Sequence, residues 1–301
     1  MPMPVGPCNL LLKVNTMKRQ DFRLSHRMRV RWVEVDMQQI VFNGHYLMYF
    51  DTAVTEYWRQ LAMPYAATMH QLGGDLYVKK ASVEYHASAE MDDFLDVCLR
   101  CEHVGNSSMR FVGAIFRGDT LLITSELVYV YADPAIKKSL SVPPALRSLL
   151  EAFEKGEDMV ELKVGPWSDL QALASPLRTE VFVQEQGVPA DMEWDSRDAA
   201  AVHAVVINRM DMVLATGRLM QTAPGQSRIG RMAVKKQMRG SDLGTRVLRG
   251  LIEVARRRGD TQVHLHAQCS AQGFYQRQGF QPQGEVFEEA GIAHIEMALT
   301  L

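Results

Sequence analysis

Between residues 229 and 248 the chain passes from an apolar segment, Ile229-Gly-Arg-Met-Ala-Val234, through Lys235-Lys-Gln-Met-Arg-Gly-Ser-Asp-Leu-Gly-Thr-Arg-Val-Leu248, with a second apolar stretch at 262–267. Strand, glycine-bearing turn, helix, strand is a βαβ unit, and it commits this part of the chain to a sheet that contains a parallel pair. Around it the pattern predicts a helix over 169–185, strands near 202–208 and 212–220, a helix over 241–258, a short helix over 270–278 and a closing strand pair near 284–299. The first half reads differently. Residues 27–35 alternate charged and apolar side chains, the period of a strand with one wet face. From 44 to 61 the spacing of Leu47, Phe50, Val54, Tyr57, Trp58 and Leu61 predicts one helical face, which Met63-Pro64 ends. Strands follow around 76–90, 94–104, 108–117 and 120–132, the last two joined by a tight turn at Arg117-Gly-Asp119. Ser141-Val-Pro-Pro opens a helix over 145–153, and Lys155-Gly-Glu-Asp158 suits a linker. With 301 residues, about twice a usual domain, the chain divides into an α+β unit at 1–157 and an α/β unit at 158–301.

A net charge of -2 gives no global field toward nucleic acid or anionic membrane. No apolar run approaches the roughly 20 residues that span a bilayer. Lys13, Lys18 and Arg19 follow rather than precede the short N-terminal apolar stretch, unlike a secretion signal, so a cytoplasmic location is expected. Cys8, Cys98, Cys101 and Cys269 are too few and scattered for a disulfide framework. Cys98 and Cys101 spell C-x-x-C within a strand, where an odd separation sends the thiols to opposite faces, and no second pair completes a metal site.

Asp36 lies between the first strand and the long helix, in Val35-Asp-Met-Gln-Gln-Ile-Val-Phe-Asn-Gly-His-Tyr46. A helix N-terminus offers unpaired amides and partial positive charge, suited to a thioester carbonyl whose oxygen becomes negative under attack. A carboxylate beside it can activate water or attack directly; the plainer reading is that Asp36 caps a turn. Arg31-Trp-Val-Glu-Val-Asp36, Asn43-Gly-His-Tyr-Leu-Met-Tyr-Phe50, Tyr85-His-Ala-Ser-Ala-Glu-Met-Asp-Asp-Phe-Leu-Asp-Val97 and Val104-Gly-Asn-Ser-Ser-Met-Arg-Phe111 together resemble the hot-dog acyl-CoA thioesterases of the hydroxybenzoyl-CoA type over about 24–155. The resemblance implies that Asp36 is catalytic and that amides near Asn43, Gly44 and His45 bind the substrate carbonyl. Relatives often carry His at the place of Asn43 and Asn at the place of His45, so the two are exchanged; His45 either contacts substrate or bonds its neighbouring backbone. Glu56 and Tyr57 match helix positions suited to packing or a subunit contact. Ser107 and Ser108 either face the acyl pocket or shape a turn.

From Arg228 to Arg258 there are ten Lys/Arg against Asp242 and Glu253, a local excess of 10 − 2 = +8. Glycines at 240 and 244 beside a helix start suit a pyrophosphate; a solvated basic helix face is the alternative. The strand, the turn Arg239-Gly-Ser-Asp-Leu-Gly244 and Phe274-Tyr-Gln-Arg-Gln-Gly-Phe280 resemble the GNAT N-acetyltransferases over about 160–301. That resemblance implies acetyl-CoA binding by Met232, Ala233, Val234, Gln237, Arg239, Gly240, Ser241, Asp242, Leu243, Gly244 and Thr245, with Tyr275 as the acid that protonates the departing sulfur. Asp242 stands where glycine or alanine is usual. Arg178-Thr-Glu-Val-Phe-Val-Gln-Glu-Gln-Gly-Val-Pro189 and Glu193-Trp-Asp-Ser-Arg-Asp198, ending at His203, resemble a GNAT branch that often has a non-glycine there. Glu193, Asp195, Asp198 and His203 form an acidic cluster that either holds a cationic amine or acts as base through water, or is a solvated loop with one core histidine.

The expectation is therefore a CoA-dependent fusion that hydrolyses acyl-CoA in one half and acetylates an amine in the other. Acetyl-CoA and acyl-CoA are its substrates, with no tightly bound cofactor and no metal. No nucleic-acid or membrane partner is expected, since the basic segment lacks interleaved aromatics. A single five-stranded sheet around one helix leaves an edge and a face to cover, so a homodimer or homotetramer through the first half is expected. The rival is a CoA sensor or scaffold in which one domain binds without turnover.

Overall fold

The computed structural model describes residues 17–301; Cys8 and Lys13 lie outside them. The chain divides between Met159 and Val160 into two compact units.

The first unit wraps one sheet around helix α1 (His45–Gln60). Its strands are β1 (Leu24–Arg29), β2 (Asp75–Tyr85), β3 (Phe94–Val104), β4 (Ser108–Arg117) and β5 (Thr120–Ala132), in the order β1-β3-β4-β5-β2 and antiparallel throughout. Helices α2 (Tyr65–Leu72) and α3 (Pro144–Glu154) complete it. The sequence reading missed α2, which starts one residue after the proline that ends α1's run. The buried stripe of α1 is Tyr46, Tyr49, Phe50, Ala53, Tyr57 and Trp58, at i, i+3, i+4, i+7 spacing. Leu47, expected on that stripe, is exposed instead. Burying Phe50 is worth about 2–3 kcal/mol. Its ring lies so close to β4 that any Cβ at Gly113 would collide with it.

The expected strand at 27–35 is shorter. β1 ends at Arg29, and Trp32–Glu34 form a 3-10 turn in which Glu34 accepts the Arg31 backbone N–H at 2.7 Å. Cys98 packs with Phe22, Ala114 and Phe116 on one face of the sheet. Cys101 faces the α1 and α3 side, its amide donating to Glu154 at 2.8 Å. The described residues contain no cluster of three or more His, Cys, Asp or Glu able to hold a metal ion, and no helix long and apolar enough to cross a membrane.

The second unit is a seven-stranded sheet ordered β11-β12-β10-β9-β8-β7-β6. Its strands are β6 (Val160–Pro166), β7 (Val202–Asn208), β8 (Val213–Ala223), β9 (Gln226–Val234), β10 (Gln262–Gln268), β11 (Gln281–Glu289) and β12 (Ile292–Thr300). Edge strand β6 was not expected; it pairs with β7 along its whole length. The predicted helix at 169–185 is two elements, α4 (Trp167–Arg178) and a π-helical turn at Thr179–Glu185. Pro176 lies inside the last turn of α4, where it cannot donate its backbone bond, so the ladder changes pitch beyond it. Helix α5 (Leu243–Arg258) crosses between β9 and β10, the one parallel pair of the sheet, and α6 (Gln272–Arg277) follows β10.

Candidate functional site

Asp36 stands at the tip of a small hairpin. Val35 and Val41 are bridged, and the Asp36 amide donates to the Ile40 carbonyl at 2.9 Å. Its Oδ1 accepts the Gln38 amide at 2.8 Å, the one hydrogen bond of that carboxylate among the described residues. Asp36 therefore does cap a turn, with Oδ2 left over. The tip is followed by the start of α1, whose Gly44 cap uses no side chain. Of the amides expected near Asn43, Gly44 and His45, that of His45 is spent on the Phe42 carbonyl at 2.9 Å. Among the described residues, the amides without a backbone acceptor extend further along the chain, to Tyr46 and Leu47, because the first helical turn has no backbone acceptors behind it. The His45 ring stands edge-on to Phe42 at 5.9 Å, and the Asn43 carbonyl accepts the Tyr85 hydroxyl at 3.2 Å.

Under this corner lies a pair the sequence did not reveal. Glu34, 1% exposed, accepts the Tyr49 hydroxyl at 2.9 Å and Arg31 at 2.8 and 2.6 Å. Burial pushes its pKa up, but the bonds from Arg31 and Tyr49 outweigh that and hold it below the usual carboxylate range. Tyr57 is a packing residue whose hydroxyl donates to Glu154 at 2.5 Å, and Glu56 pairs with Arg59 one turn on. Ser107 and Ser108 offer backbone carbonyls to the amides of Tyr131 and Gly105.

In the second unit the sheet opens. β9 and β10 are paired from Gln226–Gln262 to Ile229–Leu265 and no further. Beyond that point β9 continues on β8 while β10 continues on β12. A bulge helps turn β9 away: between the pairs Gly230–Arg218 and Ala233–Thr216, two residues of β9, Arg231 and Met232, oppose the single Gly217 of β8, with Arg231 at φ 51. The gap holds a cavity of about 430 Å³, whose walls include Gly230, Met232, His266, Gln268, Arg228 and Tyr275. Tyr275 is 8% exposed, ringed edge-on by Phe274 and Phe280. Burial pushes its pKa up to about 12, so its hydroxyl keeps its proton at neutral pH.

At the start of α5 the amides of Leu243, Gly244 and Thr245 have no backbone acceptor among the described residues. Gly240 adopts φ 86, which only glycine takes without strain, and Asp242 adopts φ 62. That left-handed backbone is the physical reason a glycine suits the place of Asp242. Gln237, Arg239, Gly240 and Asp242 are exposed and Ser241 partly so, while Ala233, Leu243 and Thr245 are buried and can offer only backbone. Arg239 is not free: it makes a two-pronged pair with Glu185 at 2.6 and 2.7 Å. Likewise Lys235 pairs with Glu180 at 2.6 Å.

The acidic cluster is built differently from the expected loop, although its histidine does lie in the core. It is neither a solvated loop nor a surplus of negative charge, because three buried or half-buried guanidinium groups meet its three carboxylates. Arg178 donates to Glu193 at 2.5 Å and to Asp198 at 3.0 and 3.2 Å. Arg218 reaches Asp195 at 2.8 Å and Asp198 at 2.7 Å, and Arg231 reaches Glu193 at 2.9 Å. Trp194 and Trp167 cover the Arg178 guanidinium at 4.6 and 5.2 Å. Burial pushes Glu193 up despite Arg178, whereas for Asp195 the Arg218 bonds overcome burial and hold it at about 2. His203 is the core histidine: its Nε2 meets the Asp198 carbonyl at 3.0 Å, and burial lowers its pKa. With both Glu193 oxygens occupied, the expected grip of Glu193 on a cationic amine lacks the free charge it needs.

Comparison with known proteins agrees with this division. Residues 38–127 match the thioesterase superfamily, a match that begins two positions after Asp36, and residues 169–301 match the acetyltransferase (GNAT) domain. The chain is 36% identical over 135 residues to protein ElaA of Escherichia coli strain K12, covering 44% of this chain and 87% of that one. Among solved structures, an acyl-CoA N-acyltransferase from Pseudomonas aeruginosa is 33% identical, covering 46% of this chain and 98% of its own, with a TM-score of 0.43. A 1,4-dihydroxy-2-naphthoyl-CoA thioesterase from Synechocystis is 16% identical, covering 42% and 94%, with a TM-score of 0.39.

Proposed function

Because the chain belongs to two families, the thioesterase superfamily in its first unit and the GNAT acetyltransferases in its second, we propose that it is a bifunctional enzyme of CoA thioesters. The observation that carries the reading is the cavity in the opened sheet, with a protonated, buried Tyr275 on its wall.

In the second unit, acetyl-CoA lies along the open edge of β9 from Met232 to Val234, its pyrophosphate against the turn at Gln237 to Gly244 and the free amides of α5. A neutral amine attacks the acetyl carbonyl carbon; the C–N bond forms and the C–S bond breaks. Tyr275 gives its proton to the leaving sulfur, and the proton released by the nitrogen passes to solvent and restores the phenol. A tyrosine held above the usual range suits this role, since it is protonated when the thiolate departs.

In the first unit, the acyl-CoA carbonyl oxygen takes hydrogen bonds from the open amides at the start of α1. Asp36 either removes a proton from an attacking water, the proton then passing to the CoA sulfur as the C–S bond breaks, or attacks the carbonyl carbon itself to give an acyl anhydride that a water then hydrolyses, with the CoA thiolate taking its proton from solvent. Its bond from Gln38 orients the carboxylate while leaving Oδ2 available. Since its active sites are expected between subunits, we place the first unit in a homodimer or homotetramer.

The test is thiol release from a panel of acyl-CoAs, with and without amines. The reading predicts hydrolysis without amine and additional, amine-dependent release from acetyl-CoA. Binding of CoA without either release would make the chain a CoA sensor instead.

A further inference from the structure

Four arginines line the cavity of the second unit: Arg197, Arg218, Arg228 and Arg231. Three have a carboxylate within 4 Å: Arg197 and Arg218 face Asp195, and Arg231 faces Glu193. Arg228 has none among the described residues. Its one hydrogen-bond partner there is Nδ1 of His266, at 2.5 Å. The carboxylate nearby, Glu289, is turned to the same histidine nitrogen at 2.9 Å rather than to the guanidinium. Arg228 is half-buried, and that burial lowers its pKa, outweighing the opposite pull of Glu289 and Glu296.

The position of this cation matters. Arg228 is on β9, one residue before the last β9–β10 pair, so it stands where the sheet begins to part. Gly230 and Met232 follow on the same strand, and all three border the cavity that Tyr275 also borders. A guanidinium with no carboxylate within 4 Å, in the wall of the cavity that the proposed acid also borders, is a fork of donors matched to a carboxylate or a phosphate. In the acetyl-transfer reading CoA's pyrophosphate lies at the α5 turn, so an anion site on the cavity wall that Tyr275 borders is assigned to the other substrate.

We propose that the amine acetylated by the second unit carries an anionic group, a carboxylate or a phosphate, and that Arg228 binds it. This rests on the acetyl-transfer reading above. When the anion docks, Arg228 turns its donors from His266 to the ligand. His266 Nδ1 is then left to Glu289 alone.

The test pairs acceptors that differ in the anion: β-alanine against propylamine, and phosphoethanolamine against ethanolamine, with acetyl-CoA fixed. The wild-type protein should prefer the anionic member of at least one pair by about 10-fold or more in kcat/KM, carried mainly by KM, the scale of a charged hydrogen-bonded contact. The first pair responding alone identifies a carboxylate, the second alone a phosphate. Arg228→Gln should bring that ratio near one, and Arg228→Lys should retain part of it. Arg257→Gln, which removes an exposed charge paired with Glu253, should keep the wild-type ratio. Equal use of neutral and anionic amines by the wild type, or an unchanged ratio in Arg228→Gln, overturns the proposal. If no amine is acetylated, the transfer reading fails separately, and calorimetry on the CoA-loaded protein decides the anion site. Arg228-dependent binding of β-alanine or phosphoethanolamine upholds it, and no binding of either overturns it.

Discussion

Arg218 grips Asp195 from both ends of its guanidinium, Nη1 to Oδ1 at 2.8 Å and Nη2 to Oδ2 at 3.1 Å. Burial alone would raise Asp195; this grip instead holds its pKa at about 2. A carboxylate lowered by folding stabilises the unit above its unfolded value near 4, and the contribution is lost as pH falls through the folded value. Asp198 acts in the same direction, whereas Glu193, raised by burial, loses stability as pH rises past the ordinary range. Between pH 5 and pH 2 the second unit should lose about 2 kcal/mol through Asp195, the size of its shift. In Asp195→Asn that part of the slope should vanish, as followed by urea unfolding and tryptophan fluorescence. An identical acid slope in the variant would show that the pair does not carry it.

The first unit presents apolar side chains around its candidate site. Trp32 is 79% exposed, Met48 is 56% exposed, and Met37 is fully exposed. Such a patch on an isolated unit marks a surface for association. We expect a dimer or tetramer by light scattering, and Trp32→Asp with Met48→Asp should shift it toward monomer and depress hydrolysis. A wild-type monomer with full thioesterase activity would contradict this.

Much of this architecture can be read from residue order. The run from Ile229 to Leu248 is enough to place β9, the turn and α5, because a parallel pair needs a crossover and the glycine at 240 marks a left-handed turn. The break of the 169–185 helix was also signalled, by Pro176, yet periodicity passes over it. What the residues do not reveal is who partners whom. Glu193, Asp195 and Asp198 lie within six positions and read as an acidic surface; their partners Arg178, Arg218 and Arg231 come from α4, β8 and β9, brought together by the sheet. His266 and Glu289 are likewise 23 positions apart and meet across β10, β12 and β11. The alternation His264-Leu-His266-Ala-Gln268 was the available hint that one face of β10 is polar.

Asp242 sits at φ 62, where a side chain costs about 1 kcal/mol relative to glycine, and its carboxylate stands at the turn proposed for pyrophosphate. Asp242→Gly should therefore raise acetyl-CoA affinity by about 3- to 10-fold in calorimetry, from relief of charge repulsion, while the relief of backbone strain adds to stability. A fall in affinity would mean that the pyrophosphate does not bind at this turn.

The central claim is that two separate chemistries share one chain, and one crossed measurement addresses it: acyl-CoA hydrolysis and amine acetylation, each assayed in Asp36→Ala and in Tyr275→Phe. Asp36→Ala should cut hydrolysis by about 100-fold or more, the scale of a lost acid-base group, and leave acetylation near wild type. Tyr275→Phe keeps the buried ring and deletes one hydroxyl, so acetylation should fall in kcat with acetyl-CoA affinity and hydrolysis retained. Hydrolysis at the wild-type rate in folded Asp36→Ala, or both reactions falling together in either variant, would contradict the account.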